Sequence, residues 1–395
     1  LLNSWEASYF EFTGDSILAL ADEAKKLGVD MLVMDDGWFG NRWDDNRALG
    51  DWTPNEEKLG RSLGELVREI NRRGLKFGIW MEPEMVSEES MLYRQHPDWV
   101  MAIPGKAPIL GRCQLVLDLS RQDVCDGLFE AICNVLDQAN IEYLKWDVNR
   151  SVADVYSHVT TDQGTVPHRY ILGLYSILER LNRRYPDLLI EGCAGGGGRF
   201  DAGMLYYCPQ IWCSDNTDAI DRLRIQYGTS FAYPLSVMGA HVSAIPNEEN
   251  GRTTPLNTRS IVAMAGTYGY EMDPRRLDDW EKDEIRKQIG IFKKYAPLIH
   301  GGKYYRLASP YEGDYTAWLV VSEDGSEALL SAVITNVRAN PLPHYVKLDG
   351  LTPNSIYHNV TLDEEYPSDA MMDVGLPLPN VMNEYAAYQW YFKRV

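Results

Sequence analysis

Several features that define particular protein classes are absent from this sequence. It contains no run of about 18 apolar residues, the length that a membrane-spanning helix needs, so no membrane partner is expected. Its six cysteines show no paired spacing, and a chain of 395 residues has no need of a disulfide framework. We therefore expect reduced thiols and a cytoplasmic protein.

Positive charge is scarce in this chain. Lys and Arg number 38 against 57 Asp and Glu, which gives a net charge of −19. Nucleic-acid binding depends on clustered Lys and Arg, so no nucleic-acid partner is expected and a neutral ligand fits better. The 24 Tyr and 11 Trp agree with a sugar ligand, because aromatic faces stack on sugars, although aromatic residues also fill cores.

The start of the sequence lacks both Met and the basic and apolar regions of a signal peptide. The chain begins abruptly at a strand-like segment, so we expect that an upstream part has been removed. Its length fits one barrel of roughly 250 residues plus a second domain of roughly 100.

The first two thirds of the chain alternate short apolar runs with stretches of helical periodicity, which is typical of repeated βα units around a parallel sheet. Eight strands are predicted, the number that closes a (β/α)8 TIM barrel. They are Ser4–Tyr9, Val29–Met34, Lys76–Met81, Gln114–Asp118, Tyr143–Asp147, Leu188–Cys193, Gln210–Ser214 and Leu235–Met238. The first helix is predicted from a cap at Asp15-Ser16 and a stop at Gly28.

The last part of the chain has a different periodicity. After predicted helices at Thr254–Thr267 and Asp279–Tyr295, the apolar period changes to two from about Lys303 onward. The strands predicted there are Thr316–Val321, Ala328–Ile334, His344–Leu348 and Tyr385–Phe392. We therefore predict a catalytic barrel over residues 1–300 and an antiparallel β-sandwich over residues 301–395.

The stretch Lys145-Trp146-Asp147-Val148-Asn149-Arg150 ends one of the predicted barrel strands. A carboxylate at the carboxyl end of a barrel strand is typical of a catalytic residue. We expect Lys145 and Arg150 to keep Asp147 ionised, which suits a nucleophile or a metal ligand. The alternative is a buried ion pair that stabilises the strand end.

A second acid is needed because glycoside hydrolysis uses one ionised and one protonated carboxyl group. We choose Asp215, since no cation is adjacent to it and Asp218 follows three residues later, which favours its protonated form. Asp218 is the rival, and its structural alternative is the N-cap of a helix that begins near Ala219.

Nearly every predicted strand ends in an acid, an aromatic residue or another polar group, and this pattern indicates a site. The members are Trp5, Glu6, Asp35, Asp36, Trp38, Trp80, Glu82, Glu84, Arg112, Asp118, Asp147, Cys193 and Asp215. Asp35 and Asp36 would be metal ligands only if more acids or histidines converged on them, so hydroxyl binding is preferred and no metal or cofactor is expected.

The glycine-rich segment Cys193–Phe200 follows another predicted strand. A phosphate cradle is one interpretation, but the segment lacks the Gly-Lys-Ser/Thr ending of a P-loop. The preferred interpretation is that the missing side chains allow a pyranose to approach the backbone closely.

Five ordered motifs resemble those of glycoside hydrolase family 36, the bacterial α-galactosidases, and the resemblance covers the whole chain. The motifs are Asp35-Asp36-Gly37-Trp38-Phe39, Trp80-Met81-Glu82-Pro83-Glu84, Lys145–Arg150, Cys193–Phe200 and Ser214-Asp215-Asn216-Thr217-Asp218. The resemblance implies a retaining mechanism without metal, with Asp147 as nucleophile and Asp215 as acid/base. It also implies an N-terminal β-sandwich domain before the barrel, and a homo-oligomer when the full-length chain is present.

The resemblance further implies which residues bind the sugar. Asp35 and Asp36 would hold the galactose O4 and O6 hydroxyls, and Trp5 would lie at the edge of the pocket. The other lining residues would be Trp80, Arg112, Lys145, Asn149, Cys193 and Gly195.

The predicted function is thus an exo-α-galactosidase acting on raffinose-type oligosaccharides. An α-N-acetylgalactosaminidase or a transglycosylase on the same scaffold is the nearest alternative, and Cys193 bears on the first because an N-acetyl group needs room beside O2. A sugar-binding module and a metal-dependent hydrolase are alternatives from other classes. A binding module needs no pair of acids in opposed environments, and a metallohydrolase would lose its activity in EDTA.

Overall fold

The computed structural model describes residues 1–340, 343–380 and 383–395. The chain divides into two compact units. The first unit contains Leu1–Trp212 and Glu271–Leu277, and the second contains Cys213–Tyr270 and Asp278–Val395. No helix of the described residues is both long enough and apolar enough to cross a membrane.

Six parallel strands form the sheet of the first unit. In spatial order they are β1 (Leu2–Asn3), β2 (Met31–Met34), β3 (Lys76–Met81), β6 (Tyr143–Trp146), β7 (Leu189–Gly192) and β8 (Gln210–Trp212). Helices lie between the strands along the chain, as the alternation predicted. They are α1 (Trp5–Ser8), α2 (Gly14–Leu27), α3 (Glu56–Leu59), α4 (Leu63–Arg72), α5 (Met91–Gln95), α6 (Gln122–Leu136), α7 (Val166–Arg184) and α8 (Ala202–Tyr207).

Helix α2 shows why these segments are helical. Thr13 caps its start and forms a capping box with Ser16, and Gly28 ends it in the left-handed conformation, with a φ of 87°. Ile17, Leu20 and the other apolar residues at helical spacing are buried. The prediction for this helix is confirmed, except that the cap lies at Thr13 and not at Asp15-Ser16.

The predicted strand Ser4–Tyr9 is wrong. The strand consists of Leu2–Asn3, and helix α1 follows it at once. The side chain of Asn3 accepts a hydrogen bond from the backbone N–H of Trp5 at 2.8 Å. Short polar side chains of this type favour turns over strands because they satisfy backbone groups locally.

The predicted barrel strand Gln114–Asp118 is also wrong. Its strand, β5 (Gln114–Val116), pairs antiparallel with β4 (Met85–Ser87) and forms a separate two-stranded sheet. A short apolar run bounded by polar residues has the same pattern in a hairpin as in a barrel, so its sequence does not reveal the pairing partner.

The second unit begins with further short elements. They are α9 (Ala219–Thr229), β9 (Met238–Gly239), β10 (His241–Ser243) and α10 (Leu256–Ala263). Most of the predicted strand Leu235–Met238 is a 3-10 turn, Leu235–Val237, which follows Pro234. Strands β10 and β11 (Gly269–Glu271) were not predicted.

A six-stranded antiparallel sheet forms the rest of the second unit, preceded by helix α11 (Asp279–Gly301). Its strands in spatial order are β12 (Lys303–Ala308), β13 (Tyr315–Val321), β14 (Glu327–Ile334), β19 (Ala387–Arg394), β16 (Ile356–Asn359) and β17 (Glu364–Pro367). Strands β15 (Tyr345–Val346) and β18 (Leu376–Pro377) form a second, two-stranded sheet, and α12 (Ser368–Asp373) lies between β17 and β18 along the chain. Leu319, Leu330, Tyr357 and Phe392 are among the residues of the core.

Candidate active site

Four neighbouring strands of the first unit are followed by polar residues, three of them at the same level of the sheet and the fourth, Asp35, level with Trp80. Met34 pairs with Ile79 between β2 and β3, Met81 with Trp146 between β3 and β6, and Trp146 with Gly192 between β6 and β7. The residues that follow these strands are Asp35, Glu82, Asp147 and Cys193, and all four are buried. The register of the parallel sheet therefore brings together residues that lie far apart in the sequence.

Asp147 is bound by neutral donors. Its Oδ2 atom accepts hydrogen bonds from Asn149 Nδ2 at 2.6 Å and from Trp80 Nε1 at 3.2 Å. Its Oδ1 atom accepts from the backbone N–H groups of Val148 at 2.8 Å and Gly195 at 3.4 Å. Four donors, one from strand β3 and three from the loops after β6 and β7, thus fix the orientation of this carboxylate.

The two cations that flank Asp147 in the sequence do not pair with it, which corrects the prediction. Lys145 Nζ forms an ion pair with Asp35 Oδ2 at 2.9 Å. Arg150 donates to backbone carbonyls, including that of Ile109 at 2.9 Å. A neighbouring position in the sequence does not fix where a long side chain ends, and each cation binds an acceptor from another segment.

Asp35 is held by two side chains from other strands. Besides Lys145, the amide of Asn3 donates to its Oδ2 atom at 2.8 Å. Burial lowers the pKa of Lys145, but Asp35 and further nearby acids raise it, so that the net shift is well upward. The ammonium group of Lys145 therefore stays positively charged and balances the negative charge of the Asp35 carboxylate.

Asp36 has a cationic partner that the sequence did not reveal. Arg42 donates to its two carboxylate oxygens from Nη2 at 2.8 Å and from Nε at 3.1 Å. Both side chains are buried. Burial raises the pKa of Asp36, and Arg42 acts in the opposite direction. Such a fork-shaped pair fixes the carboxylate in one plane.

Lys58 supports the loop that carries Asp36. Its Nζ atom is buried and donates to the backbone carbonyl of Gly37 at 2.8 Å, and it lies over the rings of Phe12 and Trp43. Burial lowers the pKa of Lys58 to about 8. Nothing in the sequence around Lys58 indicates that its side chain is buried against the carbonyl of Gly37.

Glu82 is a further buried acid, which the sequence analysis placed among the polar strand ends of the site without a role. It is completely buried and accepts hydrogen bonds from the backbone N–H of Asn149 at 2.5 Å and from the Asn149 amide at 3.0 Å. Burial and the charge of Asp147 raise the pKa of Glu82 to about 8, although the bonds from Asn149 lower it.

Glu84, the second acid of the same motif, has a structural environment. It forms an ion pair with Arg199 at 2.8 Å and accepts hydrogen bonds from Trp146 Nε1 at 2.7 Å and from the Tyr170 hydroxyl at 2.6 Å. These partners leave no carboxylate oxygen of Glu84 without a donor. Glu84 therefore holds neighbouring segments together, and its surroundings do not indicate a catalytic role.

Aromatic rings surround Trp80. Phe39 lies parallel to it with the ring centroids 6.3 Å apart, and Trp52 lies at 6.4 Å. Trp5 is partly exposed and packs edge-on against Tyr9 and Phe10. The two predicted tryptophans thus differ in their contacts. Trp80 donates a hydrogen bond to Asp147, whereas Trp5 packs against Tyr9 and Phe10, which are close to it in the sequence.

The glycine-rich loop approaches Asp147 through its backbone. Gly195 has a φ of 53° and donates its N–H group to Asp147. Cys193 is buried, and its backbone N–H donates to the carbonyl of Trp146 at 2.7 Å. Arg112 is exposed in a turn directly before β5, with a φ of 52°, and among the described residues its side chain forms no ion pair.

The two acids near residue 215 lie in the second unit and differ in their surroundings. Asp218 is the N-cap of α9, where its side chain accepts from the backbone N–H of Asp221 at 2.9 Å, and it also pairs with Arg252. The structural alternative for Asp218 is therefore confirmed. Asp215, in contrast, is exposed.

No group of three or more His, Cys, Asp or Glu residues within 1–340, 343–380 and 383–395 is arranged to hold a metal ion. Asp35 and Asp36 each bind a protein cation at the oxygens that a metal would need. Their geometry suits acceptance of hydrogen bonds from hydroxyl groups.

Comparison with curated proteins shows extensive similarity. The bifunctional alpha-galactosidase/sucrose kinase AgaSK of Mediterraneibacter gnavus is 57% identical over 392 residues, which are 99% of this chain and 41% of that protein. Alpha-galactosidase AgaA of Geobacillus stearothermophilus is 48% identical over 397 residues, which are 100% of this chain and 54% of that protein. The chain thus spans about half the length of the curated relatives it matches, or less.

Solved structures show the same relationship. The crystal structure of the family 36 alpha-galactosidase AgaA from Geobacillus stearothermophilus has a TM-score of 0.98 and 47% identity, over 100% of this chain and 55% of that one. The galactosidase domain of AgaSK has a TM-score of 0.97 and 56% identity, over 100% of this chain and 54% of that one. The predicted fold class, a (β/α)8 barrel followed by an antiparallel β-sandwich, is confirmed by this likeness.

Family profiles agree with the motifs. The Melibiase profile matches residues 1–302, and the profile of the Glycosyl hydrolase family 36 C-terminal domain matches residues 315–392. The chain therefore belongs to the Melibiase family, within glycoside hydrolase family 36.

Proposed function

We propose that this protein is a retaining exo-α-galactosidase that hydrolyses terminal α-linked galactose from raffinose-type oligosaccharides. The observation that carries the proposal is the carboxylate of Asp147, which is buried at a strand end, is bound by neutral donors and lies two residues after Lys145, the partner of Asp35. Similarity to alpha-galactosidases over nearly the whole chain supports the activity. Structures of AgaA variants in complex with raffinose and with stachyose support the substrate class.

In the first step, Asp147 attacks the anomeric carbon of galactose and forms a covalent glycosyl-enzyme. Hydrogen bonds from Asn149, Trp80 and Gly195 support this role, because they fix the carboxylate without adding a formal positive charge to it. A nucleophile bound this way is already oriented for its attack on the anomeric carbon.

Asp215 donates a proton to the leaving oxygen and then removes one from the water that hydrolyses the intermediate. Its exposure supports this role, since the water that hydrolyses the intermediate must be able to reach it. Asp218 is a weaker choice because the start of α9 and Arg252 both use its carboxylate.

Asp35 and Asp36 would accept hydrogen bonds from the O4 and O6 hydroxyls of galactose. This proposal is supported by the burial of both side chains and by the cation that fixes each of them, so that their oxygens are acceptors at defined positions. Trp80, Lys145, Asn149, Cys193 and Gly195 share the strand ends around them, and Arg112 and Trp5 remain proposed contacts at the edge.

Three further predictions belong to the proposal. The boundary between the barrel and the β-sandwich lies at residues 300 and 301. The protein is cytoplasmic, and it forms a homo-oligomer when the full-length chain is present.

The decisive experiment is an assay of p-nitrophenyl α-galactoside beside its N-acetyl analogue, with and without EDTA. We expect turnover of the galactoside alone, unchanged by EDTA. Preference for the N-acetyl substrate would make the enzyme an α-N-acetylgalactosaminidase, and loss of activity in EDTA would indicate a metallohydrolase. Product analysis at high raffinose concentration would reveal transglycosylation, and binding without turnover would indicate a sugar-binding module.

A further inference from the structure

Glu82 and Asp147 are two buried carboxyl groups joined by one amide. Asn149 Nδ2 donates to Asp147 Oδ2 at 2.6 Å and to Glu82 Oε2 at 3.0 Å. The backbone N–H of Asn149 donates to Glu82 Oε1 at 2.5 Å. Asn149 therefore links the position of Glu82 to that of Asp147 by direct hydrogen bonds.

The charges around Glu82 oppose its ionisation. Asp147, from the loop after β6, and Asp36, from the loop after β2, are acids that face it. Arg42 is the cation that faces the same region, and its guanidinium is bound to Asp36. Among the described residues, no Lys or Arg forms an ion pair with Glu82. Two carboxyl groups in such surroundings do not both ionise at neutral pH, because their like charges repel in a medium of low polarity.

Gln114 provides an independent observation. Its Nε2 atom donates to Glu82 Oε2 at 3.2 Å, while its Oε1 atom is buried and has no partner among the described residues. The oxygen and nitrogen of a glutamine amide are assigned from their surroundings, so the reversed orientation is equally compatible with the shape of the side chain. Reversed, the amide oxygen of Gln114 would accept the proton of a neutral Glu82.

We propose that Glu82 is a positioning residue that remains a neutral acid and holds the Asp147 nucleophile in place through Asn149, so that Asp147 alone carries the negative charge of the pair. This inference rests on the proposed function for the role of Asp147. It follows that Glu82 must keep its proton for the enzyme to be active. Loss of that proton at alkaline pH puts a second charge beside Asp147 and drives the two carboxylates apart.

Glu82→Gln tests the inference by replacing the acid with a neutral group of the same shape. For p-nitrophenyl α-galactoside, whose leaving group departs without protonation, we expect kcat of the wild-type enzyme to fall about tenfold per pH unit above pH 8. In Glu82→Gln this fall disappears or moves up by at least one pH unit. The matched control is Glu84→Gln, in which the alkaline fall stays at its wild-type pH. An unchanged alkaline fall in Glu82→Gln would overturn the inference.

Thermal unfolding provides a measurement that does not depend on activity. A folded-state pKa of about 8, against an ordinary glutamate value near 4.3, means that the native state binds more protons than the unfolded state between these two pH values. Wild-type stability therefore falls with rising pH through this window, and the Tm advantage of Glu82→Gln over wild type grows from pH 5 to pH 8. A constant difference in Tm would show that Glu82 is already ionised and would overturn the inference. If Asp147→Gly retained full activity, the proposed nucleophile would be wrong, whereas this Tm comparison would still report on Glu82.

Discussion

Lys145 donates a hydrogen bond from its Nζ atom to Oδ2 of Asp35, 2.9 Å away, and both side chains are buried. The two residues are separated by 110 positions in the sequence. The cation therefore compensates the acid proposed to bind the sugar, and Asp147 is left with neutral donors. The two acids therefore have different partners: Asp35 is paired with a cation, and the proposed nucleophile Asp147 accepts hydrogen bonds from neutral groups.

Lys145→Met should destabilise the protein strongly, because it leaves the Asp35 carboxylate buried without its cation. Removal of one partner of a buried ion pair costs about 3–5 kcal/mol of unfolding free energy. The matched control is Lys76→Met, which removes an exposed ion pair with Glu142 and should cost about 0–1 kcal/mol. Urea denaturation measures both, and equal losses would show that the Asp35–Lys145 pair contributes no more than a surface pair.

Asp147→Gly should abolish turnover of activated and natural substrates, because no glycosyl-enzyme forms without the nucleophile. Azide should partly restore activity and yield a β-galactosyl azide, since a small anion attacks from the face that the carboxylate has vacated. Asp147→Asn is the control, because its amide fills the space and should block the rescue. Near-normal activity of Asp147→Gly without azide would contradict the assignment.

Asp215→Ala should lose much more activity on raffinose than on p-nitrophenyl α-galactoside, because a nitrophenolate leaves without protonation and the alcohol of raffinose does not. Asp218→Ala should show no such dependence on the leaving group. It should instead reduce the unfolding free energy by about 0.5–2 kcal/mol, the value of an N-cap. The reverse outcome, with leaving-group dependence in Asp218→Ala alone, would identify Asp218 as the acid/base.

The double variant Asp35→Asn with Asp36→Asn should lose α-galactosidase activity by at least about 100-fold, because each charged hydrogen bond is worth about 1.5–3 kcal/mol. The preference for galactoside over glucoside should fall as well, since the two sugars differ only at O4. Asp118→Asn is the control, because Asp118 is a buried acid that accepts from the backbone N–H of Ser120 at 3.1 Å and is not among the residues proposed to react or to bind the sugar. Kinetics on both glycosides check the result, and an unchanged preference would make Asp35 and Asp36 structural.

The sequence by itself determined the elements whose signals are local. Helix α2 could be predicted because its caps and apolar spacing lie within sixteen residues, from Thr13 to Gly28. The polar ends of β2, β3, β6 and β7 could be predicted because a short apolar run followed by an acid marks the end of a buried strand. The motifs at these ends also indicated the family, which the profiles confirm.

Only the tertiary structure decided which of these groups pair. Lys145 binds Asp35 and not its neighbour Asp147, Arg42 binds Asp36, and Glu82 reaches Asp147 through Asn149. Strand β5 likewise pairs with β4, outside the parallel sheet. Side-chain partners and strand pairing depend on the register between distant segments, and hydrogen bonds and ion pairs form only where that register brings donor and acceptor within about 3 Å. A local sequence pattern carries no information on that distance.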